Sequence, residues 1–63
     1  MRSIRNLSLL GMVRLLKNNG VKTERIIFKI REYYKNIDTK CGFHIDGFGV
    51  SHNQQENTFD VIL

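Results

Sequence analysis

The 63-residue chain has no proline, no tryptophan and one cysteine, and it places no lysine or arginine after Lys40. Each absence excludes something. With Cys41 alone, no disulfide can form within the chain, and a single thiol fits a reducing, cytoplasmic setting. A chain this short buries only about 60% of the surface that it exposes when unfolded. With no disulfide staple, a second copy or a partner is expected to add stability. Arg14 and Lys17 interrupt the only long apolar run, well short of the ~20 residues that cross a bilayer. The chemistry of an enzyme is absent too. No paired-carboxylate pattern occurs, and Gly47-Phe48-Gly49 lacks the following helix that a phosphate-cradling loop needs. So short a chain also leaves little room for a sequestered pocket of roughly 300 Å³ or more. The reading is a non-catalytic single domain over residues 1–63 that needs no cofactor or metal.

What is present is globular in character. Hydrophobic residues make up 41% and charged residues 25%, against disorder. The formal charge is +4, but its distribution says more. All ten basic residues lie in the first forty positions, opposed there only by Glu24, Glu32 and Asp38; residues 41–63 hold Asp46, Glu56 and Asp60 and no base. A chain divided in this way presents a positive half, which suits nucleic acid or an acidic protein surface. The first ten residues contain Arg and Ser and no acid, as transit peptides do. They lack the long apolar core of a secretory signal, and we read them as part of the fold. The bias toward Asn, Ile and Lys also fits AT-rich coding sequences of phage or mobile-element type.

Hydrophobic spacing predicts two helices followed by a hairpin. Over residues 3–18, Ser3 is the expected N-cap, and Ile4, Leu7, Leu9 or Leu10, Val13 and Leu16 follow the 3, 4 rhythm of one helical face. Met12 and Leu15 widen that face, and Asn18-Asn19-Gly20 stops the helix. Over residues 22–37, Thr23 is the expected N-cap, with Glu24 near the positive end of the dipole. Ile26, Ile27, Ile30, Tyr33, Tyr34 and Ile37 form a wide apolar face, beside a mostly basic stripe of Lys22, Arg25, Lys29 and Glu32. After a loop at 36–40 the period becomes two. Phe43 and Ile45 alternate with polar neighbours, and Phe48 and Val50 fall in the opposite phase. Gly47 and Gly49 therefore suggest a bulge or bend. The polar run 51–57 reads as the hairpin loop, and Phe59, Val61 and Leu63 as the returning strand. The predicted fold is α+β, two antiparallel helices packed on a C-terminal β-hairpin (ααββ), with a four-stranded sheet expected on pairing with a second copy.

Residues 15–26 resemble a helix-turn-helix, with Gly20 in the turn and Ile26 six positions later. Leu16 and Asn19 depart from the small and apolar residues usual at their positions, and a third helix is missing. In this reading Lys22, Thr23 and Arg25 start a recognition helix that meets base edges, while Arg14, Lys17 and Lys29 neutralise phosphates. The chain would then be a dimeric DNA-binding regulator. The alternative is a protein-interaction module, an inhibitor or adaptor of a larger acidic protein. Tyr33, Tyr34, Phe43, Phe48 and Phe59 are expected in the core rather than on a stacking platform, with one of the two adjacent tyrosines turned partly outward because helical neighbours differ by ~100°. Cys41, His44, Asp46 and His52 make a poor metal set, since a structural zinc takes four ligands and His52 falls in a loop. Cys41 is expected to pack as a small apolar residue and His44 to face solvent. The apolar face of the first helix is expected to cover the core and not a membrane.

Overall fold

The computed structural model describes residues 2–63. Its elements are β1 (Ser3–Leu7), α1 (Leu9–Asn18), α2 (Thr23–Lys35), β2 (Gly42–Ile45), β3 (Phe48–Asn53) and β4 (Thr58–Ile62). The α+β class holds, with both helices ahead of the hairpin strands. The sheet, however, has four strands from one chain, in the order β1-β4-β3-β2 and antiparallel throughout. No second copy is needed to complete it.

The largest departure is at the N-terminus, where residues 3–7 form an edge strand and not the first turns of a helix. Ser3↔Ile62 and Ile4↔Val61 pair in register, then Leu7 pairs with Phe59. Two residues on β1 therefore oppose Asp60 alone. Asn6 absorbs this bulge with φ 60°, and its N–H donates to Asp60 Oδ1 at 3.0 Å. The bulge is why Ile4 and Leu7 face the same side although three positions apart, a spacing that imitates a helix. The helix proper starts at Leu9, because Ser8 caps it: the Gly11 N–H donates to Ser8 Oγ at 3.0 Å. At its far end the Asn19 N–H closes on the last carbonyls, and Gly20 takes φ 90°. The second helix starts at Thr23, with Lys22 rather than Thr23 in the N-cap position.

The second departure is the β2–β3 connection. Asp46 and Gly47 both adopt left-handed conformations, φ 46° and 86°, and Ile45 pairs directly with Phe48. That is a two-residue type I′ hairpin. The phase slip between Ile45 and Phe48 is thus the ordinary result of a two-residue turn, which sets its flanking residues opposite one another on one face. The polar run 51–57 is only half loop. Ser51–Asn53 extend β3, and the turn at 54–57 is tied down where the N–H groups of Gln55 and Glu56 donate to Asn53 Oδ1.

These registers align Ile4, Val61, Val50 and Phe43 across all four strands, with Leu7, Phe59 and His52 in the next row. Both helices cover this face. Met12, Leu16, Val21 and Ile26 join Ile45, Val50, Phe59 and Val61 in one buried cluster. The other face, with Ser3, Ile62 and His44 exposed on it, is uncovered. The helices are held mainly by the sheet, α1 by β4 and α2 by β2, and only lightly by one another. The cap assignment is testable in urea unfolding. Ser8→Ala should cost about 1 kcal/mol, whereas Ser3→Ala, on an exposed edge, should stay within about 0.5 kcal/mol. Equal losses at the two serines would place the helix start wrongly.

Candidate nucleic-acid interface

The residues expected to meet nucleic acid fall into two groups. Arg14 and Lys17 are exposed on α1, one turn apart and opposite its buried residues Met12 and Leu16. Lys22 follows on the far side of the Gly20 turn, which is closed where the Val21 N–H donates to Leu16 O at 3.1 Å. Lys17 and Lys22 therefore flank the same turn. Lys22 makes no side-chain cap bond to α2, and Thr23 is exposed in the first turn of that helix. The stretch from Arg2 to Thr23 contains no acid.

The second group is compromised as a base-reading surface. Arg25 leans onto the β2–β3 turn, where its Nε donates to Asp46 Oδ1 at 2.7 Å. This is the only ion pair within 4.0 Å among the described residues. Both partners are well exposed, so it stabilises the fold by less than about 1 kcal/mol, yet it commits the guanidinium to an internal acid. Lys29 is half-buried. The outward face of α2 mixes signs, with Glu24 and Glu32 among Arg31 and Lys35. Arg5 sits in the β1 bulge and Lys40 just before β2, so the positive half of the sequence is not wholly helical in space.

The groups weighed as a metal set are scattered. Among the described residues no three His, Cys, Asp or Glu come together. Cys41 is exposed rather than packed, and His44 is exposed on the open sheet face. His52, expected in a loop, is instead buried on β3. Its ring stacks on Phe59 at 4.3 Å and 10°, with Tyr33 edge-on at 5.5 Å. Nε2 lies 3.1 Å from Asn57 Oδ1, an acceptor, and so carries the hydrogen; in the neutral ring Nδ1 accepts from the Tyr33 hydroxyl at 2.8 Å. Every polar atom of this pair is thereby satisfied, as burial requires. The cluster pins the C-terminal half of α2 to β3. Tyr33, Phe43 and Phe59 line the core side, which leaves Tyr34 as the half-exposed member of the tyrosine pair.

Helix exposure was the least legible feature. Ile27, placed by its spacing on the inward face, is 51% exposed; Phe28 is 64% and Leu10 59% exposed. The one signal available was the breadth of the apolar arc on α2, wider than a helix on a sheet can bury.

No known protein family matches the chain, and neither a curated protein nor a solved structure proved similar to it.

Burial raises the Tyr33 pKa above its ordinary value, with Gln54 pulling the other way. A raised phenol pKa means that the fold prefers the neutral form. The associated stability is fully present below about pH 10 and is lost as pH climbs through the raised value. In urea titrations Tyr33→Phe should therefore be less stable than the parent at pH 7, by about 1 kcal/mol for the lost bond, and should lose less on moving above pH 10. Parallel pH profiles for the two proteins would remove Tyr33 as the cause.

Proposed function

We propose that the chain is a small, non-catalytic binding module of the cytoplasm, a regulator that takes DNA on the basic part of its helical layer and works as a homodimer. One observation carries the nucleic-acid reading. Arg14, Lys17 and Lys22 are exposed, lie in an acid-free stretch and have no carboxylate within 4.0 Å. Unpaired cations set along one helix and the turn beyond it are what phosphates bind, and their affinity comes largely from releasing counterions. Lys22 and Thr23, exposed at the start of α2, are the side chains that this reading assigns to base contact. Arg25 and Lys29 are secondary in this reading, since one is paired with Asp46 and the other half-buried. The helix-turn-helix geometry enters only as a Gly20 turn between two sheet-backed helices, so sequence-independent phosphate contact is the larger part of the proposal.

A second reading, docking to an acidic protein, is favoured by Leu10, an exposed apolar side chain on α1, the helix that also carries the exposed Arg14 and Lys17. Anisotropy of a labelled random duplex across a salt series separates the two. Three phosphate contacts per copy predict a log–log salt slope of about −3 for each bound copy, and Arg14→Gln with Lys17→Gln should reduce it by about 2 per copy. No binding at about 50 mM salt, where such contacts are strong, would retire the nucleic-acid reading in favour of the acidic partner. An unchanged slope in the double variant would show that α1 is not the contact surface.

A further inference from the structure

The outward face of α2 is an uncovered apolar surface with an ordered charge pattern. Glu24, Ile27, Phe28, Arg31, Glu32 and Lys35 line a shallow trough along the helix. Four of them, Glu24, Phe28, Arg31 and Lys35, follow one another at spacings of 4, 3 and 4 and so form one stripe. The stripe runs acid, aromatic, base, base, and its midpoint lies between Phe28 and Arg31.

We infer that this stripe is the homodimer interface, with α2 packing antiparallel against α2 of a second copy about a two-fold axis at that midpoint. The inference rests on the dimeric part of the proposal above and is independent of its nucleic-acid part. A two-fold interface must be self-complementary, because where residue i of one copy meets residue j of the other, j of the first also meets i of the second. The stripe meets that condition in one orientation. Laid antiparallel, Glu24 faces Lys35 of the second copy at both ends, and Phe28 faces Arg31 of the second copy twice at the centre. The guanidinium can there lie over the ring. Ile27 flanks the crossing and supplies apolar contact. Laid parallel, Glu24, Arg31 and Lys35 would each meet their own kind, and like charges would repel. A partner of unrelated sequence would not require the stripe to match its own reversal. One helix–helix crossing buries less than a standard interface of about 1,600 Å², so the dimer should belong to the weak, transient class.

Sedimentation equilibrium of the full chain without nucleic acid, from about 1 µM to about 1 mM, tests this across the range of weak affinities. The expected result is a reversible monomer–dimer equilibrium. Phe28→Glu should be monomeric throughout, with an unchanged helical circular-dichroism spectrum. Glu24→Lys and Lys35→Glu, each acting twice through the symmetry, should each weaken the dimer by about tenfold or more. Combining them should restore it, since the swapped charges match again. A wild-type chain monomeric across the range overturns the assignment. So does a Phe28→Glu variant that still dimerises, which would point to a free strand edge. Failure of the double swap to recover what the single changes lost would overturn the antiparallel register. None of these outcomes depends on whether the chain binds DNA, so the two proposals fail separately.

Discussion

The pairing of β1 with β4 joins the two ends of the chain, and the rest of the fold depends on it. β4 carries Phe59 and Val61, both almost wholly buried, and it is flanked by β1 on one side and β3 on the other. Without β1, β4 would become an edge, and the core would lose the strand row that Ile4 and Leu7 supply. The pairing also decides where α1 can go. Only Ser8 separates β1 from α1, so the helix must turn back at once over the strands beside it. The Gly20 turn then leaves α2 to cover β2 and β3. Closing a loop of this length costs entropy that rises only slowly with loop size, but it makes folding rate sensitive to a contact between distant segments.

The sequence patterns were legible where local spacing alone decides structure. Residues 9–18 and 23–35, the Gly20 stop and the alternation of β4 all follow from it. They were misleading where a single irregular residue changes the geometry. Asn6, in a left-handed bulge, lets a strand carry the i, i+3 spacing of a helix. Asp46-Gly47 was the strongest hairpin signal in the chain, yet the phase change it creates resembles a bulge when the two strands are read as one. His52 shows a different limit. Its neighbours Ser51 and Asn53 face outward and it faces inward, so the run looks uniformly polar. What makes its burial tolerable is the Tyr33 hydroxyl, nineteen residues away, which no local window contains.

The candidate site was legible in residue type and less so in disposition. Segregation of charge along the sequence suggested one positive half, but the fold redistributes it. The I′ turn swings Asp46 against Arg25, and β1 carries Arg5 into the sheet. Three of the cations singled out, Arg14, Lys17 and Lys22, keep a free surface; Arg25 and Lys29 are drawn toward the body of the protein. The number of cations thus overstates the free positive surface, and their position relative to the turn at Gly20 is the better guide.

Small size links the two surfaces. Nine buried hydrophobic residues make up the core among the described residues, and a helix resting on one side of a four-stranded sheet can bury only a narrow stripe. Any apolar residue of α2 beyond that stripe must face outward, as Ile27 and Phe28 do. Such exposure would be a liability on a lone monomer, and in the proposed dimer flanking charges that match only in reverse order would turn it into a selective contact. Pairing through α2 would leave Arg14 and Lys17 of α1 facing outward on both copies. The phosphate contacts available to one assembly would then double without a further basic residue, and a second engagement on the same duplex would become intramolecular. On the proposed reading a weak dimer and a weak phosphate surface would in this way reinforce one another, each supplying by geometry what a 63-residue chain cannot supply by area.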